Sequence, residues 1–511
     1  MVKVPPSIAE GPAWTPRPHP YVPNRASWLV GFGLVRAALA LYAVSNPEHY
    51  NVYNHFVWQA DAYLHGRVWF PHPIAEDGVL PSNWYLQDVY PLTGSGGYPD
   101  GRVLLPFPPL PALVLLPFVA VWGLAADQEA VAIGLGAAGV GLTWWMLGGL
   151  RLRTTVRALT TAVFATGTVW WWASAVGSTW YLAHLVAVDV ALVAVSIALR
   201  RDPVAATERP GEEPDAPEAG DEIPAEADGV GPGTAAPPSA LARLRAAAWP
   251  LDGSQVLVGF LLGIAVTARL PLILAAPFFM LVGGGGTVLR RTLSAALGGV
   301  LPVAAVVGYT LLTSGAFPHP GYDYQYRLEV AGYPALGYNP EWAVEDVRYI
   351  PGNALIMLGA FPEVLPDALP DTLGVLPVEP LCTEPGATRS LFGSACPIAV
   401  PIDIGTSLLL SAPGLLLALL AIRRLGLARI GLGTGAAVLL IATFNLAHFS
   451  QGWVQWGYRF SLDFLPILLP IVALGAARPT DGRPRVIAIV LLVVGGLINL
   501  WGVTWGQILG W

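Results

Sequence analysis

The side chains with the most chemical promise lie in a few short stretches. The first is YNHFVWQADAYLHGR, residues 53–67, where Asp61 stands between His55 and His65. The second is QWGYRFSLDFLP, which carries Tyr458, Arg459 and Asp463. Arg269 in VTARLP, His184 just after STWY, and Asp88 in NWYLQDVYP complete the set. A carboxylate can take the proton of an attacking hydroxyl. A guanidinium keeps its charge and grips phosphate oxygens in pairs. Together these residue types suit the transfer of a group that leaves on a phosphate. Metal chemistry has weaker support: Asp61 and His65 are four apart, but no tighter cluster joins them, so no cofactor is expected and a divalent cation has no ligand set behind it.

Local periodicity says how such residues would be held. Wound as a helix, 53–67 places Tyr53, Val57, Ala60 and Leu64 on one face and Asn54, His55, Gln59, Asp61 and His65 on the other. That pattern predicts an amphipathic helix lying in the membrane interface, apolar side down, with Asp61 and the two imidazoles raised to water. Asp61 is then either a catalytic carboxylate or a solvated residue on a polar face. Arg459 and Asp463, four apart, would share a helix face and pair, with Asp463 orienting the arginine. A purely structural ion pair is the alternative. Trp170 to Trp172, Trp180, Trp453 and Trp456 could stack on sugar rings, or belong to the aromatic belt at the membrane surface. Glu76, Asp77 and Asp100 are further acids in the same first loop.

The rest of the chain predicts what positions these groups. Of 511 residues 54% are hydrophobic and only 12% charged, with a mean hydropathy of +0.56. Apolar runs of about 20 residues recur, each long enough to cross the hydrocarbon core. The fold expected is an all-α polytopic membrane protein with 11–12 apolar membrane helices, a first-loop amphipathic helix and a small extracytoplasmic cap. No cleavable signal pattern is read at the N-terminus. The net charge of −7 points to no nucleic-acid partner, because ten acids sit between Asp202 and Asp228. Arginines gather in short junctions, at 151–157, 200–201, 243–245, 290–291, 423–429 and 478–485, and the positive-inside rule makes these cytoplasmic. The alternation closes from Arg151 onward. Before it, parity requires either that 104–123 (LLPFPPLPALVLLPFVAVWG) dips and returns, its five prolines bending any helix, or that the N-terminus lies outside.

The organisation read from this is a cytoplasmic tail over 1–26, a membrane module over 27–200 with its first extracytoplasmic loop at 45–103, and an acidic, Pro-rich, disordered cytoplasmic linker over 201–250. Membrane helices over 251–313, an extracytoplasmic cap loop over 314–403 and C-terminal membrane helices over 404–511 follow. The two cysteines, Cys382 and Cys396, both fall in the cap loop, which predicts a disulfide in an oxidising compartment and hence a plasma-membrane protein with its cap outside.

In order along the chain, YNHFVWQADAYLHGR, PFPPLPALVLLPF, LGGLRLRTTVRALTTAVFATGTVWWWAS, GFLLGIAVTARLPLILAAPF and WGYRFSLDFLPILLP resemble the GT-C superfamily of membrane glycosyltransferases, nearest its protein O-mannosyltransferase and aminoarabinose-transferase branch. The resemblance implies a GT-C-like fold and an acid in the first extracytoplasmic loop that activates the acceptor. It also implies a polyprenyl-phosphate-linked sugar donor and a glycan, lipid or protein acceptor. Asp61 matches the acidic position, although the paired Asp-Glu of the O-mannosyltransferases is absent, with Ala60 and Ala62 on either side. Asp88 is the other candidate. The expectation is an inverting transfer with Asp61 as catalytic base. Arg269 and Arg459 would bind the donor phosphate, and His55, His65, Asp88, His184, Tyr458 and Asp463 would be the remaining substrate-binding residues. A transporter or flippase of lipid-linked sugars, and a non-catalytic membrane subunit, are the competing classes.

Overall fold

The structure, a computed structural model, describes residues 25–47, 53–71, 88–92, 102–150, 152–202, 251–332, 339, 341–371, 380–425 and 428–511. Glu76, Asp77, Asp100, the tail up to residue 24 and nearly all of the acidic linker lie outside the described residues. The first half holds α1 (Arg25–Ser45), α2 (His55–Leu64), α3 (Leu110–Trp122), α4 (Gln128–Leu147), α5 (Thr154–Thr166), α6 (Trp170–Val176) and α7 (Thr179–Arg201). After the linker come α8 (Gly253–Val266), α9 (Ala276–Leu281), α10 (Val288–Ser314), α11 (Gly321–Gly332) and α12 (Ile350–Gly359). The last part contains α13 (Leu408–Ser411), α14 (Leu417–Leu425), α15 (Arg429–Ala447), α16 (Leu465–Ala476) and α17 (Val486–Leu509).

Local chemistry sets these boundaries. Asp127, Asp252 and Thr287 cap α4, α8 and α10 by accepting from the backbone N–H three residues on. Gly177, at φ 58°, supplies the left-handed residue that ends α6 and lets α7 start afresh. Among the described residues six helices are long and apolar enough to cross a membrane: 27–45, 128–150, 179–201, 288–314, 429–447 and 486–509. The protein is therefore a mostly helical, multi-pass membrane protein. Five more apolar helices among the described residues are shorter, at 110–125, 253–266, 270–281, 413–422 and 465–476, several of them interrupted by prolines and glycines. The run at 157–174 divides at Gly167 into α5 and α6. That at 270–284 becomes a 3₁₀ turn (Leu270–Ala275) followed by α9, with Pro271 and Pro277 at the two starts. α8 and α16 have only 14 and 12 residues.

The two ends of the bundle differ in chemistry. At one end Arg157 donates to Ser27 Oγ at 3.3 Å, Arg429 to Asp202 Oδ1 at 3.0 Å, and Gly283 N–H to Asp202 Oδ2 at 3.1 Å. Of the six long helices α7 is the most buried, 83% against 17% for α10. Its 23 residues carry the chain about 35 Å from that arginine end to the other. At the far end the C-terminus of α1, all of α2 and the start of α4 meet: Asn46 donates to Glu129, and Gln128 donates to the carbonyls of Tyr53 and Gly177. α3 both begins and ends there, since Leu110 N–H bonds the Thr267 carbonyl and α4 follows within six residues. Its 13 residues reach about 20 Å, short of the hydrocarbon core.

α8 and α10 pack backbone to backbone. A Cβ on Gly259 would sit 1.9 Å from the Ala295 carbonyl oxygen, and one on Gly298 the same distance from that of Val256. Small residues are what allow such an approach in lipid. Gly298→Ala is expected to lower the unfolding midpoint in detergent, by about 2 kcal/mol of stability. Gly308→Ala, on the same helix with nothing within 4 Å, should not.

Short strands, unforeseen in an all-α reading, organise the far end. β1 (Phe70–Pro71), β2 (Tyr90–Pro91) and β3 (Arg102–Leu104) form an antiparallel sheet in the order β1-β3-β2. In the cap, β4 (Glu363–Val364) pairs with β5 (Ala399–Val400), and Cys382 is disulfide-bonded to Cys396. Tyr326, Tyr349 and Phe449 form a separate small core that seats the cap on the end of α15.

Candidate functional site

A cavity of about 670 Å3 opens at the end of the bundle opposite the arginines. The segment leading into β2, the first turn of α7, the bend after α8, the start of α11 and the turns after α15 all contribute to its wall. Asp88 enters from the residue before Val89 and β2, Trp180 from α7, and Arg269 from the bend at the end of α8. Asn445 and His448 come from the end of α15, and Arg459 and Phe460 from the 3₁₀ helix Arg459–Asp463. His319, Tyr322, Gln325 and Glu345 close the cap side.

Arg269 is placed by a buried carboxylate. Asp463, 1% exposed, receives Arg269 through Nε to Oδ1 at 3.1 Å and Nη2 to Oδ2 at 2.9 Å. Asn445 Nδ2 donates to Oδ2 at 3.0 Å, and His184 Nδ1 lies 3.1 Å from Oδ1. Burial pushes the Asp463 carboxyl up, but Arg269, His184 and their hydrogen bonds more than reverse this and hold it well below the usual carboxylate range. The guanidiniums of Arg269 and Arg459 both lie over the Phe460 ring, 5.5 and 5.2 Å from its centre, and Arg459 is also 5.8 Å from the Trp180 ring. The expected partnership of Asp463 with Arg459 is thus replaced by one with Arg269. Residues 459–463 wind as a 3₁₀ helix, in which i and i+4 no longer share a face.

Three carboxylates line the cavity, Asp88, Asp323 and Glu345; Asp323 is paired with Arg327 and Glu345 with His448, and Asp88 faces the Arg459 guanidinium. Trp180 Nε1 donates to Asp88 Oδ2 at 2.7 Å and Gln325 Nε2 to the Asp88 carbonyl at 2.6 Å. Burial raises the Asp88 carboxyl, while the Trp180 hydrogen bond, Arg459 and His448 oppose the rise. Across from it His448 Nδ1 stands 3.3 Å from Glu345 Oε1. His319 accepts from Gly321 N–H at Nδ1, and burial pulls it down to about 4, so at neutral pH its proton sits on Nε2 as a hydrogen-bond donor.

Asp61 is placed elsewhere. α2 turns His55 and Gln59 inward, both fully buried, where His55 Nδ1 meets Thr179 Oγ1 at 2.9 Å and Gln59 donates to the Tyr309 hydroxyl at 2.9 Å. The face expected to look into water is split, since Asp61 and His65 point outward while Leu64 is 46% exposed. Asp61 lies 3.5 Å from His65, whose ring also meets the Asp61 carbonyl at 2.8 Å, and neither residue lines the cavity. His55 stands behind Trp180, ring to ring at 6.3 Å. Tyr458 is buried with its hydroxyl donating to Gln451 Oε1 at 2.8 Å, and His184 is fully buried beneath the cavity floor. Of the tryptophans considered for stacking, Trp180 alone lines the cavity. Trp170, Trp172 and Trp456 are core, and Trp453 donates to Asp403 Oδ2 at 2.6 Å.

The structure thus gathers Asp88, Arg269 and Arg459 around one space, with His184 and Asp463 behind them. It adds Asn445, His448, His319, Gln325 and Glu345. Only Asn445 carried a sequence signal, an amide inside an otherwise apolar span; the others sit in polar segments where nothing in spacing distinguishes them. In comparisons with family models, curated proteins and solved structures, the chain has no match.

Proposed function

We propose that the protein is an integral membrane glycosyltransferase that moves a sugar from a polyprenyl-phosphate donor to an acceptor hydroxyl. The active face would be extracytoplasmic, on the cap side of a cell membrane. The observation behind this reading is the convergence of Asp88, one of three carboxylates on the wall with Asp323 and Glu345, and two guanidiniums, Arg269 and Arg459, on a single cavity at the end of the bundle away from the arginine clusters.

In this reading Arg459, with Arg269 beside it, binds the donor phosphate and stabilises the charge that grows on it as the glycosidic C–O bond breaks. Asp88 accepts the proton of the acceptor hydroxyl while that oxygen bonds to the anomeric carbon, and polyprenyl phosphate leaves with the bonding electrons. One in-line displacement inverts the anomeric centre. The base is therefore assigned to Asp88, the second of the two first-loop acids considered, because Asp61 does not reach the cavity. In this reading His319 and His448, which line the cavity, would meet sugar hydroxyls.

The test is transfer by purified protein in bilayers, using radiolabelled polyprenyl-phosphate sugars. Arg459→Lys is expected to raise the donor KM about tenfold, because an ammonium cannot grip two phosphate oxygens in a plane. An unchanged KM would remove Arg459 from the phosphate site.

A further inference from the structure

Two groups that are not part of the proposed chemistry hold Asp88 from opposite sides. Its backbone is left-handed, φ 72°, a conformation non-glycine residues rarely hold without support. Gln325, on α11 of the cap, supplies that support through its 2.6 Å bond to the Asp88 carbonyl. The rings of His319 and Tyr324 meet Tyr90, two residues on, edge to face at 5.5 and 5.6 Å. On the side chain, Trp180 Nε1 takes Oδ2 at 2.7 Å, and Oδ1 has no hydrogen bond among the described residues. Trp180 is itself fixed: Tyr53 packs on one side at 4.8 Å, and the Arg459 guanidinium lies 5.8 Å from its ring.

We infer that Trp180 and Gln325 are positioning residues for Asp88: the indole N–H occupies Oδ2 so that Oδ1 alone is offered to the acceptor, and the cap amide locks the backbone that aims it. This rests on the reading of Asp88 as the base. The indole has a second effect, because a hydrogen bond to the charged form favours that form. Arg459, His448 and Tyr322 are the other titratable or charged groups that act on Asp88; Arg459 also lies over the Trp180 ring, so the test must keep a ring at position 180. Loss of the indole donor raises the pH at which Asp88 ionises by about one unit.

Trp180→Phe keeps a ring for Tyr53 and Arg459 and deletes the donor. A 3-benzothienylalanine at position 180 deletes the N–H alone, should the phenylalanine variant fold poorly. Dicyclohexylcarbodiimide couples to protonated carboxyls in apolar surroundings. Its pH-dependent attachment to Asp88, quantified by peptide mass spectrometry on the full-length protein in bilayers, reads that ionisation without any turnover. The labelling midpoint is expected to rise by about one pH unit in both variants, and the acid limb of kcat/KM for transfer to move up with it. Gln325→Leu should lower kcat about tenfold at unchanged donor KM. An unmoved midpoint in either Trp180 variant overturns the inference. A shifted midpoint in a protein that transfers no sugar supports it and refutes the transfer reading instead.

Discussion

Asp88→Asn is expected to slow transfer by about 10²- to 10⁴-fold, the usual contribution of a positioned general base, with donor KM and unfolding midpoint close to the parent's. The amide keeps the shape of the carboxylate and can still accept from the Trp180 indole, so folding has little reason to change. It cannot take a proton. Asp61→Asn, made in parallel, is expected to leave transfer within about twofold, because Asp61 does not line the cavity and its polar partner among the described residues is His65. The pair of variants is decisive in both directions. Transfer that survives at Asp88 and disappears at Asp61 would return the base to α2 and detach the cavity from the chemistry. The measurement is initial rate at saturating donor, with the acceptor varied.

The contrast between these two acids shows where the sequence was legible and where it was not. The existence of α2 was readable from its periodicity, but its orientation was not. The expected placement, apolar side in the membrane interface and polar side in water, fails because the interior at this end is itself polar: Val57 and Ala60 are buried, and so are His55 and Gln59. His55 and Gln59 go inward because Thr179 and Tyr309 wait there with partners, and Leu64 goes outward at little cost. Asp88 was visible only as one of several acids in a loop. What brings it to the cavity is a sheet whose strands have two or three residues, too short for alternation to register. The long spans were legible because hydrocarbon thickness demands about twenty apolar residues whatever the fold. The shorter apolar helices were legible as apolar runs but not as broken ones, since the residues on either side of Gly167 look continuous in composition. Arg269 stood out as a cation against the charge rule, and it is indeed the partner of the deepest carboxylate at the site.

That carboxylate carries the largest stability effect expected in the molecule. Asp463→Asn removes the charge that Arg269 grips with two nitrogens and that Asn445 and His184 also address. Breaking a buried pair from one side typically costs about 3–5 kcal/mol, because the remaining ion has lost its water and now lacks its counter-charge. A loss of that size should appear as a clear fall in the thermal unfolding midpoint in detergent, together with weaker donor binding as Arg269 drifts from the cavity wall. The pair as a whole is a different quantity. Arg269→Met with Asp463→Leu removes both charges and is expected to recover part of the stability lost in the single variant, yet none of the donor binding, which separates scaffolding from phosphate recognition. The pH dependence follows from the sign of the shift. The folded carboxyl is held below its unfolded value, so its stabilising effect is complete above the ordinary carboxylate pKa of about 4 and is lost as pH falls from there towards the folded value. The parent should therefore show a midpoint whose Asp463 contribution is flat between about pH 5 and 8 and declines below about 4, and Asp463→Asn should lack that decline. A single variant as stable as the parent would mean that Arg269 finds water or another acceptor when Asp463 is neutral, and the cation could then not be regarded as fixed at the cavity wall.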